Sequence, residues 1–551
     1  MTPCQAEGCF QPRQPVPWRT RAEKREYSRY FGEILEYSHK YNKKSVWDIG
    51  VAIVALYLLF LAVAAIPIAS IPLHVPSGFI NEGFNAYYSF AAISHGILYP
   101  PPDALIVNNY PPLSFYLVGL FGQLFGDHIL AGRIIATGSL LAVAANIFLL
   151  CRWMGCDRLL ATFGSGVFLA TISVFATGYV AANDPQLLGH AFITSGAVMF
   201  LIATDRDQPR TALIAISAVL VVVGGLVKHN LVALPLAICT WAAIYDRRSL
   251  AKFVVSLLAI GGLALAILYD IWGQRIVAGV LYHSRFIWWP RILGMSRGTI
   301  FLLPIVLITA LGFWLSTNRR KINFVIIYAV WSAAVGFPLF AGEGIDLNVL
   351  FDLVIALSMG SVGCVVVLQQ RGTYFWTCTR RIIVTSIVLP VFVWAFYKQI
   401  YKGDIYESYR HLHDASAWSE LEEMVSKVNG RVACNALAVC YWAGKQFELD
   451  FFNYGQKLYK NSVNDKNLLQ RRFASGYYAA ILLKGVQSSN NSSIWIPAPY
   501  FPETETSTLL SWYEPIRCLQ SLESGYSICL LMRRTHPVKP DEATRSHIGV
   551  L

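Results

Sequence analysis

Two acids and a set of cations have types and positions that could do chemistry. Glu82 lies in GFINEGFNAYYSFA (78–91), between Asn81 and Asn85 and just before Tyr87 and Tyr88. If 81–92 is helical, Glu82, Asn85 and Ser89 share one face by i, i+3, i+4 spacing. A carboxylate placed there could take a proton from a hydroxyl nucleophile. Amides and phenols such as Asn81, Asn85 and Tyr88 suit sugar hydroxyls. The plainer alternative is an interfacial helix with tyrosine anchors and a solvated Glu82. Asp184 opens DPQLLGHAF with Pro185 behind it, and an Asp there can also be only a helix cap. Together the two acids could hold a divalent cation, or divide base and positioning roles.

The cations point to phosphate. Arg133 sits in the apolar stretch HILAGRIIATGSL, where a guanidinium is costly without a partner. A phosphate or a buried carboxylate would serve, and snorkelling is the structural alternative. Lys228 and His229 lie between two apolar segments and could receive a lipid phosphate. Arg285 belongs to GQRIVAGVLYHSRFIWWPRILGMSR (273–297), whose cations, with His283, Trp288 and Trp289, suit an anionic headgroup. Asn109 and Tyr110 precede Pro111–Pro112, which starts a helix. Asp352 in LNVLFDLVIALS could reach a sugar or a cation, or make a polar contact between helices.

Positioning these residues is a matter for membrane helices. The 551-residue chain is 55% hydrophobic and 14% charged, against about 25% charged in an average soluble protein. Uncharged runs of about 20 residues recur, enough for a bilayer core of roughly 30 Å, and helices satisfy their own backbone there. The expected fold class is an all-α polytopic membrane protein of about 11–12 transmembrane helices over 48–398. A small C-terminal extracytoplasmic α/β domain covers 399–551, and a basic arm on the cytoplasmic side covers 1–47. The net charge of +12 is spread through short loops, as membrane orientation requires, which excludes nucleic acid as a partner. Basic loops at 151–158, 204–210, 245–252, 317–321 and 369–381 are expected inside. The loop at 151–158 is inside only if 112–126 fails to cross, which leaves about 11 crossings. Loops 72–128, 178–184 and 273–298, and Lys228–Asn230, then meet on the outer face. The localisation this implies is a plasma or bacterial inner membrane, with the C-terminal domain periplasmic or otherwise extracytoplasmic.

Cys434, Cys440, Cys518 and Cys529 in the C-terminal region could form one or two disulfides of undetermined pairing. Asn490 and Asn491 match glycosylation acceptor patterns. No GxxxxGK[ST] loop occurs, so a nucleoside triphosphate is not an evident energy source.

In order along the chain, INEGFNAYYSFA, YPPLSFYLVGLFGQLFG, AGRIIATGSLLA, AANDPQLLGHAF and GLVKHNLVALPL resemble the GT-C glycosyltransferases. These are polyprenyl-phosphate-sugar-dependent membrane enzymes that include protein O-mannosyltransferases and lipid A aminoarabinose transferases. The resemblance covers residues 45–245 and, by hydropathy, the later spans. It implies inverting transfer of a sugar from a polyprenyl-phosphate donor to a glycan, lipid or protein hydroxyl at the outer face of the membrane lipids. Asp184 matches the family's second-loop Asp. Lys228, with His229, matches the carrier-phosphate contact, and Arg133 the Arg after the PPL helix. The first-loop motif is often Asp-Glu. Here it is Asn81–Glu82, which passes the base role to Glu82. Some relatives carry a metal-holding acid before the PPL segment, where this chain has Asn109–Tyr110. A polyprenyl-linked lipid or glycan transporter, or a non-catalytic scaffold, are the competing readings. A transporter would place its polar residues at mid-membrane on broken helices.

Overall fold

The computed structural model describes residues 48–76, 81–205, 208–282, 285–316, 319–370, 373–402, 409, 413, 415–487, 495–520 and 526–538. The expected arm at 1–47, His283, Asn490 and Asn491 lie outside the described residues.

Nine helices among the described residues are long and apolar enough to span a bilayer. In chain order the first part of the chain forms α1 (Asp48–Ala69), α2 (Asn81–Ile93), α3 (Leu113–Phe125), α4 (His128–Trp153), α5 (Arg158–Phe175), α6 (Gln186–Thr204), α7 (Thr211–Val227), α8 (Ala233–Tyr245) and α9 (Arg247–Trp272). Long helices follow at Leu303–Leu315, Arg319–Leu339, Phe351–Gln370 and Thr373–Lys402. At about 1.5 Å per residue, the 13 residues of α3 reach only about 20 Å. Both of its ends lie at the same end of the bundle as α2, so α3 does not traverse. The shorter apolar helices α7 and α8 accompany the nine.

The basic segments gather at one end. Lys321 donates to the Trp153 carbonyl at 2.6 Å and lies 3.3 Å from Asp205, while Arg320 donates to the Thr204 carbonyl at 3.1 Å. Arg380 and Arg381 clasp Asp48 at the start of α1, at 2.5 and 3.1 Å. Residues 70–75, 128–133, 183–184 and 228 lie at the opposite end.

Small residues set how α6 and α7 meet. A Cβ at Gly224 would come within 2.4 Å of Ile193 Cγ2, and one at Gly196 within 3.1 Å of the Ser217 carbonyl. Ser217 Oγ donates to the Gly196 carbonyl at 2.7 Å. Without side chains in the way the two backbones approach closely, as small residues allow in membrane bundles. That contact carries Lys228, at the end of α7, next to the N-terminus of α6.

The C-terminal region is an α/β domain. Its five-stranded sheet runs in the order β1 (Val432–Cys434), β2 (Ala480–Gln487), β5 (Tyr526–Arg533), β4 (Tyr513–Gln520), with β3 (Trp495–Pro497) also paired to β2. Only β1–β2 is parallel. Cys434 pairs with Cys440, and Cys518 with Cys529 across β4–β5. The domain shares one core with the loops beneath it: Val75, Phe84, Tyr88, Tyr99 and Phe115 pack in the same cluster as Trp418, Leu421, Leu437, Leu482 and Leu530. Polar contacts complete the seat. Trp442 Nε1 donates to Asp127 at 3.0 Å, Tyr87 to the Lys445 carbonyl at 2.7 Å, and Lys457 to the Pro102 carbonyl at 2.7 Å.

Candidate active site

Arg133 and Glu82 meet inside the protein. The guanidinium donates through Nε to Glu82 Oε1 and through Nη2 to Oε2, both at 2.8 Å. Its remaining hydrogens go to the carbonyls of Ser70, Ile71, Leu73 and Val75. Glu82 also accepts from the Asn183 backbone N–H at 3.1 Å and is 0% exposed. Two expectations are thereby corrected. Glu82 is not placed to take a proton from a substrate, because both oxygens are committed and no solvent reaches it. Arg133 is not placed to bind a donor phosphate, because its partner is the buried carboxylate. The pair fastens the segment after α1, the start of α2 and the Asn183 turn together.

Two further expectations change with it. Tyr88 is packed among Phe84, Phe115 and Phe447, so it serves the shared core and not a sugar. Asn85 Nδ2 donates to the Asn183 carbonyl at 2.6 Å from a 3% exposed position, which turns it inward. Asp352 accepts from Tyr328 at 2.5 Å and lies 3.8 Å from His190 Nδ1. Gln186 joins this buried network through His190 Nε2 at 3.1 Å and the Asn348 carbonyl at 3.2 Å. Asp352 thus makes the polar contact between helices and holds α6 from below.

What remains is a compact group at the N-terminus of α6. Asp184 Oδ1 accepts from the Gln186 N–H at 2.8 Å, so the cap reading holds. The same oxygen lies 3.9 Å from Lys228 Nζ, and Oδ2 lies 3.5 Å from Asn81 Nδ2. The Lys228 ammonium stands 3.9 Å above the centre of the Tyr110 ring, a cation–π arrangement. Burial opposes the charge on Lys228, but Asp184 and then Tyr110 more than offset it and hold the amine above its ordinary pKa. Arg285 is close enough to be felt by Lys228 and Tyr110, and donates to the Glu343 carbonyl at 2.7 Å. Desolvation, then the cations of Lys228 and Arg285, lower the pKa of His229, and because the residue is exposed the two cations are the firmer cause. His229 is therefore neutral at pH 7 and is a hydrogen-bonding group, not the second cation expected of it. Asn109 is buried beside Tyr110.

A divalent ion finds little here. Glu82 is taken by Arg133, which leaves Asp184 alone of the expected acid pair, and no group of three His, Cys, Asp or Glu side chains gathers among the described residues. The residue that the sequence reading passed over is Asn183. Its backbone N–H and side chain both bind Glu82, and a Cβ on Gly132 would fall 1.9 Å from its Oδ1. The signal was present in the adjacency of Gly132 to Arg133 and of Asn183 to Asp184.

The comparisons agree with this architecture. Residues 109–272 match the family described as dolichyl-phosphate-mannose-protein mannosyltransferase. ArnT from Cupriavidus metallidurans superposes with TM-scores of 0.54 bound to undecaprenyl phosphate and 0.55 in the apo state. Sequence identities are 11% and 12%, over 88% and 86% of this chain and 97% of ArnT. The Archaeoglobus fulgidus oligosaccharyltransferase, tethered to an acceptor peptide, superposes with a TM-score of 0.51 at 11% identity, over 91% of this chain and 77% of that one. No curated protein matches the chain in sequence. The chain thus has the fold of these membrane glycosyltransferases, and its central helices match the mannosyltransferase family.

Proposed function

We propose that the chain moves a sugar from a polyprenyl-phosphate carrier to a hydroxyl of a cell-envelope glycan, lipid or protein, with Asp184 as proton acceptor. The observation that carries this reading is the meeting of Asp184 with Lys228, 3.9 Å apart over the Tyr110 ring. An acid and a lysine so placed can serve the two ends of one displacement. The acceptor O–H gives its proton to the Asp184 carboxylate as its oxygen bonds to the sugar's anomeric carbon. The bond from that carbon to the phosphate oxygen breaks, and the electron pair leaves on the phosphate. Lys228, supported by Arg285 and a hydrogen bond from His229, receives the anion. Charge-assisted contacts of this kind are roughly twice as strong as neutral ones, and they grow as charge develops on the leaving group. Attack opposite the phosphate inverts the anomeric centre. Asn81, 3.5 Å from Asp184, holds the carboxylate and reaches the sugar or acceptor with Asn109 and Tyr110.

The basic loops at one end of the bundle support a cytoplasmic assignment for that end. The site and the C-terminal domain then face the extracytoplasmic side of a plasma or bacterial inner membrane, where disulfides such as Cys434–Cys440 persist.

The test is single turnover of a labelled polyprenyl-phosphate sugar with purified protein. Asp184→Asn should lower the rate by about 10³-fold or more, the upper part of the range for loss of a general base. Lys228→Ala should weaken donor use at saturating acceptor. Full release of polyprenyl phosphate by Asp184→Asn would end the assignment.

A further inference from the structure

Three buried side chains converge on one small cavity behind the Asn183–Asp184 turn. Asn85, Ser89, Ser114, Phe115, Val118, Gly132, Asn183 and Asp184 contribute to its wall. Asn85 Oδ1, Ser89 Oγ and Ser114 Oγ have no hydrogen-bond partner among the described residues. Their residues are 3%, 0% and 4% exposed. Three such groups left bare would each cost about 1–3 kcal/mol. A helical serine commonly bonds back to the carbonyl four residues earlier, and Ser89 does not. The cavity leaves about 10 Å³ for the centre of a water molecule, at the threshold of about 10–15 Å³ that one water needs, and a buried water takes 2–4 polar partners.

From this geometry we infer a resident water, bound by Asn85, Ser89 and Ser114, that positions the Asp184 turn. The water donates one hydrogen to Asn85 Oδ1. Its second hydrogen and its lone pairs serve the two hydroxyls, each of which can donate or accept. The bond to Oδ1 matters most, because it fixes which way the Asn85 amide faces. With Oδ1 toward the water, Nδ2 points at the Asn183 carbonyl, where it donates at 2.6 Å. Asn183 is the residue before Asp184, and its own N–H is held by Glu82 at 3.1 Å. Water, Asn85 and the Asn183 carbonyl thus form one chain of bonds that ends at the backbone of Asp184. Water also excludes the flipped amide, which would set a carbonyl oxygen against the Asn183 carbonyl. Ser89 and Ser114 become positioning residues through the water, while neither touches the substrate.

The positioning part of this inference rests on Asp184 as the base, and the water does not. Two measurements separate them. A crystal or cryo-EM map that resolves ordered waters should show a peak within about 2.7–3.2 Å of all three atoms, and a dry cavity in such a map overturns the site. In kinetics, the double variant Ser89→Ala/Ser114→Ala should lower kcat about 10-fold with the donor KM unchanged at a temperature well below its melting point. Ser114→Val, which fills the cavity, should do the same. A merely structural role would lower the melting temperature and leave kcat intact, and that result overturns the positioning claim. Retained activity in Asp184→Asn would instead sink the base assignment while leaving the water in the map.

Discussion

At the scale of residues, the two acids that look alike in the sequence have opposite fates. Glu82 is sealed in a bidentate pair with Arg133, and Asp184 faces a lysine over an aromatic ring. Breaking a buried ion pair leaves an uncompensated charge and costs about 3–5 kcal/mol. Glu82→Gln and Arg133→Leu should therefore each lower the melting temperature of the purified protein, with the activity lost in proportion to the folded fraction. Asp184→Asn keeps the helix cap but leaves the buried Lys228 without its carboxylate, so it should melt below the parent as well, and should lose transfer even at temperatures where it is fully folded. Melting of Glu82→Gln and Arg133→Leu at the parent's temperature would mean that the pair does not hold the fold together. Asp450 offers a second check. Burial raises its carboxyl to about 6 from an ordinary 3.8. The folded state then holds the proton more tightly than the unfolded one. The associated stability is present below about pH 4 and is lost as pH rises through about 6. Asp450→Asn, which keeps the cap on the helix Phe451–Tyr459, should flatten the fall in melting temperature over that window.

At the scale of elements, the site depends on how closely α6 and α7 pass. Gly189, Gly196 and Gly224 leave no side chain between the backbones, and Lys228 Cβ sits 3.5 Å from where a Cβ on Gly189 would lie. Gly224→Val adds atoms at a contact already within 2.4 Å of Ile193. Overpacking of this sort costs about 1–3 kcal/mol and should move Lys228 away from Asp184. The expected result is a donor KM raised severalfold with the protein still inserted, read from transfer rates over a donor titration. Unchanged donor KM in Gly224→Val would show that the α6–α7 contact does not set the position of the lysine.

For the whole molecule, the C-terminal domain is part of the site's frame. Leu437 and Ala438 press on α2 so closely that a Cβ on Gly83 would meet the Leu437 carbonyl carbon at 2.2 Å. The bond between Cys434 and Cys440 closes the segment that makes this contact. The double variant Cys434→Ser/Cys440→Ser should therefore lower transfer and expose residues 74–110 to limited proteolysis. If proteolysis and activity both match the parent, the domain is seated independently of that bond.

The amino-acid sequence by itself determined the membrane class and the C-terminal α/β domain. These follow from run length, charge placement and local spacing, which are properties of neighbours along the chain. It also identified Arg133 as a residue that needs a phosphate or a carboxylate, since a guanidinium in an apolar helix cannot stand alone. Which of the two it takes, and hence which acid is left to face a substrate, was decided only by the tertiary structure. Residues 82, 133 and 183 are far apart in sequence, and only the packing of α2, α4 and α6 under the C-terminal domain closes Glu82 off against Arg133 and sets Asp184 beside Lys228.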